Sequence, residues 1–385
     1  MKILLVAIPN HHFFQWTNQL KESGYEVYWF DITDGAGFVE KINWVQQFNG
    51  WKLKWNYPFR YKIKIHIPKL HSLLEKVTVN TTENVFEDII KQIQPDVVHC
   101  FEMQLAGLPI LSIMNCNKIP FVYSSWGSDM YYYKNLGMTD IMVKSFLDRV
   151  DYLITDCKRD YTIAIQNGYK NSFLGVFPGN GGINFIKEYI NPINSRNKIL
   201  IKGYESFGCK ASKIIEAIEL LPLELFRNLE FVIYSSDLVI SNKIEKSLFF
   251  KSQKVKIYLR NHFISNDDML KMMGKSLLHI SNNISDGMPN TLLEAMGMGS
   301  FPIQSNPGHA TEEVIQNGVN GYLISNPFDS LEIAKSIQKA INDKELRTLA
   351  QTFNVEIIRK NYDRQNLQKE IIRLYNGILH QKEIK

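Results

Sequence analysis

Continuous apolar runs and helically spaced stretches alternate along this chain. The first run, Lys2–Pro9, is followed by a helix pattern over about Phe13–Ser23, a stop at Gly24, and a second run at Glu26–Asp31. Unbroken apolar runs of this length read as strands buried on both faces, and a strand–helix–strand order implies parallel pairing. From Glu83 the alternation resumes: helix Val85–Ile93 ending at Gln94-Pro95, strand Asp96–Cys100, helix Leu105–Asn115 and strand Pro120–Ser124. Strand Asp151–Thr155, a helix reaching Gly168 and strand Phe173–Phe177 complete the series. Turn residues then crowd Pro178-Gly179-Asn180-Gly181-Gly182 through Asn191-Pro192-Ile193-Asn194-Ser195, which marks a domain boundary.

A second series begins at Lys198–Ile201. It continues with helix Ser212–Leu220, strands Leu229–Tyr234 and Val255–Leu259, helix Asp267–Met273 and strand Leu278–Ser281. Strands Phe301–Ser305 and Gly318–Ile324 follow, then a helical tail over about Leu331–Ala340 and Lys344–Leu374. The pattern predicts an α/β protein of two doubly wound, Rossmann-like domains, 1–190 and 191–385, and 385 residues is the right length for two. In open parallel sheets ligands bind beyond the carboxyl ends of the strands, so a cleft between the domains is the expected place for a site.

One stretch departs from the alternation. Residues 41–74 hold Trp44, Trp51 and Trp55, half the tryptophans of the chain, with Phe48, Tyr57, Phe59 and Tyr61 interleaved. Lys52, Lys54, Arg60, Lys62, Lys64 and Lys69 add positive charge, with no acid between Lys41 and Leu74. Aromatic rings with Lys and Arg favour the headgroup layer of an anionic membrane. An amphipathic strand pair with its aromatics in the core is the competing reading. Nucleic acid is disfavoured because no recognition motif accompanies the charge.

Composition narrows the class. An apolar fraction of 45%, a charged fraction of 22% and a net charge of +5 describe a globular protein with no strong call on nucleic acid. Cys100, Cys116, Cys157 and Cys209 are scattered without metal-ligand spacing, which suits reduced thiols in a cytoplasmic protein. The short first run is followed by Asn10-His11-His12 rather than a cleavage site, and no run approaches the roughly 20 apolar residues that span a bilayer. No G-x-G-x-x-G follows the first strand, which disfavours a dinucleotide oxidoreductase. Neither a G-x-S-x-G elbow nor H-E-x-x-H occurs, so serine-hydrolase and zinc-protease chemistry lack support.

The most informative stretch is Ser281–Gly299, which puts Asp286 and Glu294 eight residues apart across a loop that becomes a helix. Gly287 permits close backbone approach, Pro289 and Asn290 are helix-start signals, Leu292, Leu293 and Met296 give an apolar face, and Gly297 and Gly299 end it. A helix N-terminus attracts phosphate, while a carboxylate one turn further in accepts hydrogen bonds from sugar hydroxyls.

Asp286-Gly287-Met288-Pro289-Asn290-Thr291-Leu292-Leu293-Glu294-Ala295-Met296 resembles the pattern Glu-Gly-x-Pro-x-x-x-x-Glu-Ala-Met of the retaining glycosyltransferases of family four, which have the GT-B fold. The likeness runs on through Gly308-His309-Ala310-Thr311-Glu312 and Gly318-Val319-Asn320-Gly321. Pro95–His99, Ser125-Trp126-Gly127-Ser128-Asp129, Pro178–Gly182 and Lys202-Gly203-Tyr204 with Lys210 extend it thinly over most of the chain.

The resemblance implies two Rossmann-like domains facing a cleft, with a C-terminal helix crossing back to the N-domain. It implies transfer of a sugar, with retention, from a nucleoside diphosphate sugar to a glycan or lipid-linked acceptor of cell-envelope polysaccharide, with no metal and no bound cofactor. Glu294 would accept from the donor ribose, Asp286 would lie beside the donor sugar, and Gly287, Met288, Pro289, Asn290 and Thr291 would face sugar and diphosphate. Gly308 and Glu312 join the donor side, and Lys202 and Lys210 stand for the family's diphosphate-binding cations. Asp129 is a candidate for sugar contact, and Asn10, His11, His12 and Trp126 for the acceptor side. Asp286 is one methylene shorter than the family's Glu, and Trp126 stands where many members carry a His. A GT-B epimerase and a non-catalytic GT-B partner subunit are the alternatives. The expected location is the cytoplasm, with peripheral membrane contact through residues 41–74.

Overall fold

The computed structural model describes every residue except Asn56, Ser206, Phe207 and Lys385, and the side chains of residues 380–384 also lie outside the description. The chain forms two compact units. Met1–Asp156, Asp160–Gly181 and Gln368–Lys385 make the first; Cys157–Arg159 and Gly182–Leu367 make the second.

The first unit holds a seven-stranded parallel sheet, β1 (Lys2–Ala7), β2 (Glu26–Asp31), β3 (Gln46–Phe48), β4 (Val97–Phe101), β5 (Phe121–Ser124), β6 (Tyr152–Thr155) and β7 (Ser172–Val176), in the order β3-β2-β1-β4-β5-β6-β7. The order reverses between β1 and β4. Leu4, Val6, Phe30, Val98, Cys100, Phe121 and Tyr123 project into one core cluster with helix residues Phe86, Ile89, Val143 and Phe146. Their burial on both faces of the sheet is why these strands read as unbroken apolar runs.

The second unit holds a six-stranded sheet, β8 (Lys198–Lys202), β9 (Glu230–Ser236), β10 (Lys254–Leu259), β11 (Ser276–Ser281), β12 (Phe301–Ser305) and β13 (Tyr322–Ile324), in the order β10-β9-β8-β11-β12-β13. All its pairs are parallel. Here the reversal lies between β8 and β11. Both units are therefore Rossmann-like, as the alternation predicts.

Several expectations are revised. The division falls inside the turn-rich run at Gly181–Gly182, not at residue 190. Gly182 has φ +110°, and a Cβ there would lie 2.9 Å from the Arg364 Cα, so only glycine suits this close crossing. The tail is divided at Leu367–Gln368 between the two units. From Gln368 on, the helix Arg364–Ile384 belongs to the first, where Ile371, Tyr375 and Ile378 are buried. Its Tyr375 hydroxyl accepts from Trp16 Nε1 at 3.4 Å and lies 2.7 Å from His99 Nδ1.

The expected helix Leu105–Asn115 is a π turn (Met103–Gly107), a 3₁₀ turn (Leu108–Ile110) and a short α-helix (Leu111–Asn115). Pro109 lacks the N–H that a continuous helix needs. Nor is residues 41–74 a strand pair. After β3 come two helices, Arg60–His66 and Pro68–Thr78, clasped at their base by an antiparallel bridge between Leu53 and Val79. Among the described residues no helix is long and apolar enough to cross a membrane.

Candidate functional site

In the second unit, the reversal of strand order leaves a crevice-forming gap between the loops that follow β8 and β11. Lys202 ends β8; Asn282–Pro289 leaves β11 and enters the helix Asn290–Gly297. Such a switch point is where open α/β sheets bind ligands. The helix starts after Pro289 in extended conformation, and Gly299, with φ +77°, follows its end. Leu292, Leu293 and Met296 are fully buried, so the apolar face predicted for this helix packs as expected. The Leu292 and Leu293 amides donate to the Pro289 carbonyl at 3.0 and 3.2 Å, which closes its opening turn.

Glu294 lies one turn in and is 8% exposed. Its Oε1 accepts from Asn266 Nδ2 at 2.8 Å. Burial pushes the carboxyl up to about 7, against the opposing pull of Asn266 and of the Arg364 charge. Asp286 is half-buried and tied into its loop: Oδ2 accepts from Asn283 Nδ2 at 2.6 Å and Oδ1 from the Gly287 amide at 3.0 Å. Lys202 and Asp286 converge electrostatically on Cys209. Burial raises that thiol to about 11, Lys202 opposes the rise, and Asp286, Asp237 and Glu205 add to it.

Lys210 joins the same loop through its backbone. Its amide donates to the Asn282 carbonyl at 2.8 Å, its carbonyl accepts from Asn282 Nδ2 at 3.3 Å, and helix Ala211–Glu219 starts beside it. Thr291 is hydrogen-bonded to the buried Tyr234 hydroxyl, which in turn sits 2.9 Å from His279 Nε2. Met288 and Pro289 are buried in the loop. After β12, Gly308 and His309 both adopt positive φ, 56° and 69°. That turn lets Glu312 accept from Asn306 Nδ2 at 2.7 Å and from His309 Nδ1 at 2.8 Å, and the His309 bond is the main cause of its lowered pKa.

Four contributors carry no signal in the sequence. Arg159 Nη1 donates to the carbonyls of Asp286 and Pro307, 2.8 Å each, and so ties the loops after β11 and β12 together. Glu313 accepts the amides of Lys158 and Arg159 at 3.0 and 3.2 Å, which fixes where that guanidinium starts. Asn266 and Arg364 reach Glu294 from 28 and 70 residues away in the chain, separations that periodicity cannot span.

In the first unit the predicted residues have mostly structural parts. Asn10 caps the helix His11–Asn18, its Oδ1 accepting the His12 amide at 2.6 Å, and His11 and His12 are exposed on its first turn. Asp129 is 1% exposed, with Oδ2 accepting from the Met103 amide and the Tyr123 hydroxyl and Oδ1 from the Trp126 amide. Those three bonds pin the loops after β4 and β5 together. Burial raises its carboxyl to about 6. Trp126 is half-buried, its ring 6.3 Å from Phe101 and packed beside Gly179, where a Cβ would come within 3.4 Å. Among the described residues its indole N–H meets no acceptor.

Comparison with known proteins agrees with this geometry. Residues 2–157 match the family described as Glycosyl transferase 4-like, and residues 193–352 match Glycosyl transferases group 1. No curated protein matches the chain. Among solved structures, a glycosyltransferase from Rickettsia africae has a TM-score of 0.66 at 15% identity, covering 98% of each chain. Anabaena HepE, solved with UDP and glucose, has a TM-score of 0.66 at 15% identity over 98% of this chain and 100% of its own. Sucrose-phosphate synthase from Thermosynechococcus elongatus reaches 0.70 at 13% identity over 99% and 100%. Identities this low establish the fold alone; the two family matches carry the rest. The chain belongs to the glycosyltransferases of GT-B fold.

Proposed function

We propose that this protein transfers a sugar, with retention of configuration, from a nucleoside diphosphate sugar to a glycan or lipid-linked acceptor in cell-envelope polysaccharide synthesis. The observation that carries the reading is the donor constellation of the second unit. Lys202, the Asp286–Thr291 loop, a helix N-terminus and the buried Glu294 gather at one switch point. In this reading Glu294 accepts from the ribose hydroxyls and the loop amides face the sugar and diphosphate. Lys202 and Lys210, with the helix dipole, stabilise charge that grows on the diphosphate as the anomeric C–O bond breaks. The acceptor oxygen bonds to the anomeric carbon on the face the diphosphate leaves, and its proton passes to a leaving phosphate oxygen. No metal is needed for that charge balance, so chelation of divalent ions should leave the rate unchanged.

The bound nucleotides of Anabaena HepE make UDP-sugars the first donors to try. A thermal-shift screen of UDP-, GDP- and ADP-sugars tests the reading, since a ligand at one hundred times its Kd stabilises by about 2.7 kcal/mol. A shift with one donor series, followed by an α-to-α product anomer by NMR, supports retaining transfer. No shift with any of them removes the donor-site assignment. A lipid-linked acceptor places the enzyme at the inner face of the cytoplasmic membrane, with residues 41–74 as the contact.

A further inference from the structure

The aromatic, basic stretch does not act as one block. Trp44 Nε1 donates to Asn18 Oδ1 at 3.0 Å and Trp51 Nε1 to the Asp31 carbonyl at 2.7 Å, so both tryptophans are turned into their own unit. The exposed part is the hairpin of helices Arg60–His66 and Pro68–Thr78. Leu70, Leu73 and Val77 recur at helical spacing on the second helix, yet Leu73 and Val77 are 61% and 64% exposed. Phe59, Tyr61, Ile65 and Ile67 are exposed beside them. From Lys52 to Lys76 there are seven Lys or Arg against a single acid, Glu75.

A cavity of about 650 Å³ opens within this hairpin, inside the roughly 300–1,000 Å³ range of small-ligand sites. Tyr57, Arg60, Lys64, His71 and Glu75 line it. Arg60 and Lys64 are one turn apart, and Arg60 makes a long ion pair, 3.8 Å, to Glu75. His71 is 6% exposed and its Nδ1 lies 3.5 Å from Glu75, but among the described residues its buried Nε2 meets no hydrogen-bond partner, and neither does the buried Tyr57 hydroxyl. Two orphaned polar atoms beside two cations are what a buried phosphate would satisfy, because an unmade buried hydrogen bond is unfavourable and a charge-assisted one is strong.

We propose that this hairpin seats the protein on an anionic membrane, with a phospholipid headgroup phosphate in the Tyr57–Arg60–Lys64–His71 cavity and Leu70, Leu73 and Val77 at the acyl boundary. This rests on, and narrows, the reading of residues 41–74 as a membrane contact; it does not depend on the donor site. A free phosphate ester shares the chemistry of the cavity, but the apolar stripe beside it favours a lipid.

The test is co-sedimentation with phosphatidylcholine vesicles, with and without phosphatidylglycerol. The protein should sediment only with the second, and less at high salt. Lys62→Ala with Lys69→Ala removes two charges outside the cavity and should weaken binding about 30-fold at most. Arg60→Ala with Lys64→Ala removes the same charge and should weaken it a further tenfold or more. Equal losses would overturn the headgroup cavity. Leu70→Ser, Leu73→Ser and Val77→Ser together should abolish sedimentation, and unchanged sedimentation would overturn the apolar seat. Calorimetric binding of glycerol 1-phosphate by a protein that ignores both vesicle types would assign the cavity to a soluble ester and sink the membrane proposal. Circular dichroism confirms that each variant folds. Unchanged donor-induced thermal shifts keep this outcome separate from the fate of the transferase reading.

Discussion

Arg159 Nη1 lies 2.8 Å from the main-chain carbonyl of Asp286, so the loop that carries the first acid of the motif is held by a guanidinium 127 residues earlier in the chain. The same nitrogen reaches Pro307. Arg159 is thus a positioning residue for two loops at once. Replacing it by Ala removes two charge-assisted bonds, each worth about 1.5–3 kcal/mol. Arg159→Ala should raise the donor KM by about tenfold or more with a smaller change in kcat, and Arg159→Lys should recover part of the loss. Steady-state kinetics against donor concentration checks it. An unchanged KM would mean that the loops hold their place without it.

Glu294 sets a pH dependence whose sign follows from its burial. Below about 4.5 the group is protonated in both the folded and the unfolded chain. Between about 4.5 and about 7 the unfolded chain gives up that proton and the folded chain keeps it, so stability falls as pH rises through that window. Glu294→Gln should flatten this slope, as read by denaturant unfolding between pH 4.5 and 7.5. Donor binding should respond in the opposite direction, strengthening as pH rises through about 7, because the carboxylate is the better acceptor for ribose hydroxyls. Transfer by Glu294→Ala at the wild-type rate would sink the ribose assignment.

Asp129→Asn tests the part this residue plays in holding the loops. An amide cannot accept all three bonds now made to Met103, Tyr123 and Trp126, and each buried donor left unmatched destabilises by about 1–3 kcal/mol. The denaturation midpoint should fall, while the donor-induced thermal shift keeps its size. Loss of activity in a variant of unaltered stability would return Asp129 to the reacting centre.

Tyr375→Phe leaves His99 Nδ1 and Trp16 Nε1 without their shared partner and should destabilise by about 1–3 kcal/mol in guanidinium unfolding. His99 is fully buried, and burial lowers its pKa to about 3. It is neutral in the fold, so the stability it contributes is complete above about 6.5 and is lost as pH falls below that value. His99→Gln should therefore lessen acid sensitivity between about pH 6.5 and 3. An identical acid profile would assign that sensitivity elsewhere.

Strand positions were legible because burial on both faces writes an apolar run into the sequence: Glu26–Asp31 and Phe301–Ser305 lie where the pattern puts them. The helix Asp140–Arg149 lies outside the predicted elements, although Val143, Phe146 and Leu147 mark its buried face and Thr139 caps it. The break at Pro109 was also written in the chain and was outweighed by the apolar spacing around it. Charge and aromatic content singled out residues 41–74. It could not separate the inward Trp44 and Trp51 from the outward Leu70 and Leu73, because all four are apolar and composition does not record which way a side chain faces.

By itself, the sequence determined two parallel α/β units, the loop-to-helix motif with Asp286 and Glu294, and the family they resemble, because local periodicity and contiguous motifs survive in one dimension. Tertiary structure decided how each carboxylate is held. Asp129 is spent on three loop bonds, while Glu294 is buried with Asn266 beside it. It also decided that Arg159 braces the motif. These contacts join residues tens to hundreds of positions apart, and burial and partner choice depend on the neighbours that folding brings, which no local pattern records.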